Sequence, residues 1–209
     1  MRAIVVGEDD VTKEIIKKLI VSYAPHLDTL QTLPARGSQA IKHENIKAYN
    51  ILAEKTPVIL LTDLDNGQCA PQMQRNILQS IVKHPMFIFN IAVEEAETWL
   101  MADKENFLSY FGVEDKIPHA TYHKMRGDNA RMEILFEYKP SLYMMREIIP
   151  TSSKSAVIAQ LKPKNGAKKG PEYNTAMIPF ITNKWNPENA RSQSYSLERM
   201  IVRLQSIPK

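Results

Sequence analysis

Two apolar segments, Ala3-Ile4-Val5-Val6-Gly7 and Val58-Ile59-Leu60-Leu61-Thr62, decide the fold of this chain. Each is short and continuously apolar, which is typical of a strand that is buried on both faces of a parallel sheet. Acidic residues follow both segments: Glu8-Asp9-Asp10 after the first, and Asp63-Leu64-Asp65 after the second. Because parallel strands end at one edge of a sheet, where open α/β proteins carry their sites, we expect these carboxylates to lie close together.

The residues around these segments alternate between strand and helix patterns. Together they predict an α/β domain with a parallel sheet of about four strands that is flanked by helices. The other elements of this half are expected at 11–23 (helix), 28–33 (strand), 38–55 (helix), 71–82 (helix) and 86–91 (strand).

Beyond Asp103 the pattern is weaker. Residues 104–149 have a helical and partly amphipathic pattern, whereas 151–195 are rich in Pro, Lys, Asn and Ser. We therefore expect residues 1–103 to form one α/β domain, which carries the acidic residues at the strand ends. Residues 104–209 are expected to form a basic, mostly helical or irregular C-terminal extension that packs on this domain.

Composition limits the class of protein. With 209 residues, of which 44% are hydrophobic, the chain can bury a substantial core. It has no apolar stretch near the roughly 20 residues that a membrane-spanning helix needs, and its N-terminus lacks the layout of a signal peptide. A single cysteine, Cys69, excludes an internal disulfide framework and a multi-cysteine zinc site. We expect a cytoplasmic protein with no membrane partner.

Charge is unevenly distributed along the chain. Residues 151–209 hold ten Lys or Arg and three Glu, a net charge of +7, whereas residues 1–150 carry −3. A basic segment beside an acidic site suits an enzyme that acts on a polyanion such as DNA or RNA. An ordinary solvated basic surface explains the same composition equally well.

The spacing of the acidic residues favours a metal site. Asp63 and Asp65 are two residues apart at a strand end, so both side chains can point to one side. Glu8 would reach the same place from the neighbouring strand. Carboxylates crowded together repel one another unless a cation or a proton lies between them. We therefore predict a site for Mg²⁺, or for Mn²⁺ in its place, since carboxylate oxygens are ligands that Mg²⁺ prefers.

The arrangement of these residues resembles the Toprim domain, the catalytic domain of topoisomerases, primases and OLD-type nucleases. A Glu ends the first strand, and Asp-x-Asp ends the third. The segment Glu94–Asp103, with its Trp-Leu-x-Ala-Asp ending, is similar to a group of uncharacterised bacterial Toprim-like proteins, and residues 185–197 resemble their tail more loosely.

The resemblance implies roles for individual residues. Glu8 would act as general acid and base or as a further ligand, with Asp63 and Asp65 as Mg²⁺ ligands. Glu94 and Glu97 would add a second metal position, so that two metals hold the attacking and leaving oxygens. A nuclease is favoured over a topoisomerase, which needs a tyrosine nucleophile on a separate domain. A partner ATPase and a role in bacterial defence follow by analogy.

A basic, glycine-containing segment at 163–170 is suited to phosphate contacts. It is not a Walker A loop, because no Gly-Lys-Ser/Thr ending is present. The residues that we expect to contact a nucleic-acid backbone are Lys164, Lys168, Lys169 and Arg191.

Two other functions fit the same sequence. In a phosphoacceptor receiver domain, Asp9 and Asp10 would hold Mg²⁺ and Asp63 would accept the phosphoryl group. That function also needs a Ser or Thr at the end of the fourth strand, where this chain has no well-placed hydroxyl residue. A catalytically silent module that binds nucleic acid or a protein partner is the other alternative. Asp9 and Asp10 also suit simple capping of the first helix.

Overall fold

The computed structural model describes residues 1–33, 37–64, 69–124, 130–164 and 166–209. The described chain falls into two compact units, one formed by Met1–Val93 with Glu198–Lys209 and the other by Glu94–Leu197. No helix within the described ranges is both long and apolar enough to cross a membrane.

The first unit is an α/β structure built on one sheet. Its elements are β1 (Arg2–Gly7), α1 (Asp10–Tyr23), β2 (Asp28–Thr32), α2 (His43–Leu52), β3 (Val58–Asp63), α3 (Ala70–Leu78) and β4 (Phe87–Ala92). The four strands are all parallel and lie in the order β2-β1-β3-β4. The predicted fold class is confirmed.

Helices cover both faces of this sheet. Val58 and Leu60 of β3 belong to a core that also contains Ile46 of α2 and Met73 of α3. Helix α1 contacts β1 and β3 and buries Ile15 and its other apolar residues. Because both faces are covered, the central strands need apolar side chains at every position, which is why their sequences do not alternate.

Two helices are shorter than their sequence patterns predict. Ser38 lies in a 3-10 turn (Gly37–Ile41), and α2 begins only at His43, after Lys42 in an extended conformation. Helix α3 ends at Leu78 because Gln79, with φ of +49°, leaves the helical conformation. In both cases a backbone turn interrupts an apolar pattern that continues along the sequence.

The second unit, over its described residues, is mostly helical and includes one pair of strands. Its elements are α4 (Ala96–Ala102), α5 (Lys104–Phe111), β5 (Thr121–Lys124), β6 (Ala130–Glu133), α6 (Pro140–Tyr143), α7 (Ser155–Leu161), α8 (Tyr173–Asn183), α9 (Pro187–Arg191) and α10 (Tyr195–Gln205), whose residues from Glu198 onward belong to the first unit. A π-helical turn (Met144–Ile148) and a 3-10 turn (Ile149–Thr151) follow α6.

The antiparallel pair β5–β6 corrects the helical prediction for residues 104–149. Thr121 pairs with Glu133 and Lys124 with Ala130. Thr and Tyr favour extended backbone, and Pro118, three residues before Thr121, limits continuation of a helix, so this part of the stretch is extended and not helical.

The boundary between the two units lies after Val93 and not at residue 103, where the sequence pattern weakens. Every residue of α4 is buried, and this helix packs against α5, α6 and α9 of the second unit, so its segment belongs there. The chain end belongs to the first unit, where the Arg203 guanidinium donates to the carbonyl of Phe89 at 2.8 Å and to Asn90 Oδ1 at 2.6 Å.

The motif residues of 99–103 and of 185–196 form one hydrogen-bonded cluster within the second unit. Trp99 Nε1 donates to Ser196 Oγ at 2.9 Å, and Trp185 Nε1 donates to the Trp99 carbonyl at 3.1 Å. The Asp103 carboxylate accepts from the backbone N–H of Asn186 at 2.7 Å. Both tryptophans are fully buried. These residues therefore stabilise the second unit.

Candidate functional site

Glu8 and Asp63 meet at the carboxyl edge of the sheet. Gly7 pairs with Leu61 in the parallel register, so the residues that follow β1 lie beside the end of β3. The Asp63 backbone N–H donates to Glu8 Oε1 at 3.2 Å. Both side chains are half-buried. The structure thus places the Glu8 carboxylate against the backbone of Asp63, at the edge where the sequence predicts both residues.

Thr62 is a member of this site that sequence reasoning missed. Its side chain is fully buried, and its hydroxyl donates to the same Oε1 atom of Glu8. Two donors from the end of β3 therefore orient the Glu8 carboxylate. The available signal was a polar residue at the end of an otherwise apolar strand, since a buried hydroxyl needs a partner.

The third predicted carboxylate, Asp65, lies outside the described residues, so its distance from Glu8 and Asp63 stays a prediction. Among the residues that the structure does describe, no three His, Cys, Asp or Glu side chains are grouped so that they could hold a metal ion. The predicted metal centre therefore depends on Asp65 joining the pair Glu8 and Asp63.

Asp9 and Asp10 serve the first helix. Asp9 Oδ1 accepts from the backbone N–H and from the hydroxyl of Thr12, each at 2.8 Å, so Asp9 is the N-cap of α1. Asp10 forms an ion pair with Lys13 at 3.0 Å, and its side chain is 60% exposed. The capping role is confirmed for Asp9.

Gly7 allows the close approach between the end of β1 and the start of α1. A Cβ atom at this position would lie 3.0 Å from the backbone nitrogen of Lys13 and 3.2 Å from Cβ of Thr12. We expect Gly7→Ala to lower the free energy of unfolding by about 1–3 kcal/mol, because the helix must move away from the strand. Urea unfolding measures the loss, and an unchanged midpoint would contradict the close contact.

Glu97, predicted as a metal ligand, instead binds a predicted phosphate-contacting lysine. Its side chain is buried, and Oε1 accepts from Lys169 Nζ at 3.0 Å and from the Tyr173 hydroxyl at 2.5 Å. Lys169 Nζ also lies 4.2 Å from the centre of the Tyr173 ring. Glu97, predicted to bind a metal, and Lys169, predicted to contact phosphate, therefore form an ion pair with each other in the second unit.

The neighbouring acidic residues have different surroundings. Glu94, the other predicted ligand of a second metal, is half-buried and has a φ of +67°, a left-handed conformation that is uncommon for residues other than glycine. Glu95 is buried and accepts from the Ser141 backbone N–H at 2.7 Å and from Lys139 Nζ at 2.9 Å. Glu95 thus anchors the start of α6.

The other predicted nucleic-acid contacts also lie in the second unit. Lys164 and Lys168 are exposed on the segment between α7 and α8. Arg191, in the last turn of α9, forms an ion pair with Glu188 of the same helix at 3.0 Å. Contact of these residues with nucleic acid stays a prediction.

Glu133 is a buried carboxyl group that the sequence patterns did not single out. Its Oε1 atom accepts from the Ser196 backbone N–H at 2.6 Å, and Oε2 accepts from the Ser194 hydroxyl at 2.8 Å. Burial raises the pKa of Glu133 from its ordinary value of 4.5 to about 7, although the hydrogen bonds from both serines lower it. The nearby charge of Glu94 raises the pKa further.

This raised pKa makes stability depend on pH. Between pH 4.5 and about 7, the folded protein holds a proton on Glu133 that the unfolded chain lacks. The stabilisation by this proton is complete below pH 4.5 and is lost as the pH rises through 7. Its size is about 1.4 kcal/mol for each unit by which the pKa of Glu133 in the folded protein exceeds that in the unfolded chain. In Glu133→Gln, we expect the free energy of unfolding to vary less with pH across this range. If urea unfolding gives the same pH dependence for the wild type and Glu133→Gln, the raised pKa of Glu133 is contradicted.

Comparisons with known proteins do not place the chain in a family. No protein-family model matches it, and no curated protein or solved structure is significantly similar to it. The functional argument therefore rests on the residues and their contacts.

Proposed function

We propose that this protein hydrolyses phosphodiester bonds of nucleic acid with the help of Mg²⁺ or Mn²⁺, as a nuclease of the Toprim type. The proposal rests on one observation, the meeting of Glu8 and Asp63 at the carboxyl edge of a parallel sheet. That edge is where open α/β sheets bind their ligands.

The donor atoms at this edge fit a hard divalent cation. Carboxylate oxygens suit Mg²⁺ and Mn²⁺, and no His or Cys is needed. In this proposal Asp63 and Asp65 hold the metal, which would polarise the phosphoryl group and neutralise its charge. Glu8, oriented by Thr62 and by the backbone of Asp63, takes a proton from the attacking water or provides a further metal ligand.

Charge supports nucleic acid as the substrate. Residues 151–209 carry a net charge of +7, and Lys164 and Lys168 are exposed. Phosphate contacts of this kind contribute affinity without sequence preference. A partner ATPase and a role in bacterial defence are further expectations from the resemblance, and cytoplasmic location is an expectation from composition.

The contacts of Asp9 and Asp10 favour the nuclease over the phosphoacceptor. A receiver domain would need both carboxylates beside Asp63, whereas Asp9 caps α1 and Asp10 pairs with Lys13. Strand β4 also ends at Ala92, without a hydroxyl residue at its end.

A cleavage assay tests the proposal. Purified protein is incubated with supercoiled plasmid, linear duplex, single-stranded DNA and RNA in Mg²⁺, Mn²⁺ or EDTA. We expect cleavage of at least one substrate in the metal-containing samples alone. Cleavage in EDTA would contradict the metal-dependent mechanism. Transfer of phosphate from acetyl phosphate to Asp63, without cleavage, would support the phosphoacceptor instead.

A further inference from the structure

The described residues 162–164 and 166–170, between α7 and α8, belong to a loop whose two ends meet. At its base the Glu172 backbone N–H donates to the Gln160 carbonyl at 3.0 Å, and the Gln160 side chain donates to Glu172 Oε2 at 3.2 Å. A Cβ atom at Gly170 would lie 2.4 Å from backbone atoms of Leu161, so only glycine fits where the two ends meet. Compact surface loops with closed ends of this kind frequently carry function.

A turn holds the far side of the loop. The Ala167 backbone N–H donates to the Lys164 carbonyl at 3.0 Å, and Gly166 has a φ of +76°. A positive φ of this size favours glycine. Lys164 is the first residue of this turn and Lys168 follows it, and both are exposed.

The Glu97 carboxylate fixes the last part of the loop. It accepts from Lys169 at 3.0 Å and from Tyr173 at 2.5 Å, and it is only 4% exposed. A buried carboxylate is costly unless charged and hydrogen-bonding partners surround it, so these three groups hold one another in place. Lys169 is thereby held by Glu97, whereas Lys164 and Lys168 beside the turn are exposed, as is Lys162 at the start of the loop.

We infer that the described part of this loop, residues 162–164 and 166–170, is a preorganised site for the phosphate groups of nucleic acid. Lys164 and Lys168 contact these groups, and Glu97 is a positioning residue. The inference deepens the proposed function, on which its choice of nucleic acid rests. Residues 162–170 include four lysines and no acidic residue, which suits a polyanion. A loop that is already ordered loses less entropy on binding.

Glu97→Gln separates positioning from simple electrostatics. The change removes one negative charge, so electrostatic attraction alone would strengthen binding to a polyanion. Loss of the Lys169 ion pair loosens the loop, and we expect binding to weaken about five- to tenfold instead. The probes are a fluorescein-labelled single strand and its duplex, followed by fluorescence anisotropy in EDTA, so that binding is measured without metal-dependent cleavage.

Glu105→Gln is the matched control, because Glu105 is exposed, lies on α5 outside the loop and undergoes the same change of charge. We expect it to bind at least as tightly as the wild type. Tyr173→Phe removes one hydrogen bond to Glu97 without a change of charge, and we expect it to weaken binding. This variant tests the inference in place of Glu97→Gln, should the latter not fold. Melting temperatures establish that each variant is folded at the assay temperature.

The salt dependence of binding identifies the contacting lysines. Removing Lys164 and Lys168 together should reduce the slope of log affinity against log salt by roughly 1.5, since each phosphate contact contributes about 0.7–0.9. Three results would overturn the inference: an unchanged slope, wild-type protein that binds neither probe, or a Glu97→Gln variant that binds as tightly as Glu105→Gln. Binding with the expected variant effects but without cleavage in Mg²⁺ would contradict the proposed nuclease and leave this site standing.

Discussion

Glu8→Gln is expected to lower metal-dependent cleavage by about 10²–10⁴-fold, the range for loss of a positioned proton-transfer group. Asp63→Asn is expected to lower it by a similar factor, because it removes the charge of one of the two proposed metal ligands. Both changes preserve the size of the side chain. Glu8→Gln retains an oxygen that can accept from Thr62 and from the Asp63 backbone, so the site keeps its shape and loses a negative charge. The measurement is the initial cleavage rate of the best substrate at saturating Mg²⁺.

Asp10→Asn is the control for these variants. Asp10 lies next to the same strand end and loses the same charge, but its side chain is 60% exposed and pairs with Lys13. We expect its cleavage rate to stay near that of the wild type. Full activity in Asp63→Asn would remove Asp63 from the mechanism, and a large loss in Asp10→Asn would favour the arrangement of a phosphoacceptor domain.

Asp103→Ala should lower the free energy of unfolding by about 3 kcal/mol, because removing a buried charged acceptor leaves its donors unpaired. Asp103 is 1% exposed. Its carboxylate accepts from the Asn186 backbone N–H at 2.7 Å and from the side chains of Asn189 at 3.0 Å and Asn106 at 2.9 Å. It thereby joins the start of α5 to α9. Urea unfolding of the variant measures the loss.

Two further variants serve as comparisons for the loss of stability in Asp103→Ala. Asp103→Asn keeps the shape and one acceptor oxygen, so we expect a smaller loss than for alanine. Glu105→Ala changes an exposed acidic residue of the same helix and should alter stability by no more than about 0.5 kcal/mol. Equal stability of Asp103→Ala and Glu105→Ala would show that the Asp103 contacts do not stabilise the second unit.

Much of the first unit could be predicted from its sequence. Strands β1 and β3 are continuously apolar because helices cover both faces of the sheet, and this pattern also indicates parallel pairing. Parallel pairing then places Glu8 beside Asp63, since Glu8 follows β1, Asp63 ends β3, and the two strands run in the same direction. The N-cap at Asp9 was predictable because Asp directly before an apolar helical pattern is a common N-cap.

The second unit shows where such prediction fails. Glu97 and Lys169 are 72 residues apart, and no spacing rule indicates that two charged groups so distant along the chain will pair. The network of Glu133 with Ser194 and Ser196 is likewise non-local. The strands β5 and β6 are only four residues long, too short to impose a clear period on the sequence.

Metal binding at the carboxyl edge is the central claim, and Mn²⁺ titration followed by electron paramagnetic resonance tests it most directly. The wild type and the Glu8→Gln, Asp63→Asn and Asp10→Asn variants are compared without nucleic acid. We predict that the wild type and Asp10→Asn bind Mn²⁺ with similar affinity, whereas Asp63→Asn, and to a smaller degree Glu8→Gln, bind it more weakly. A folded wild type that binds no Mn²⁺, or an Asp63→Asn variant with unchanged affinity, would contradict the account.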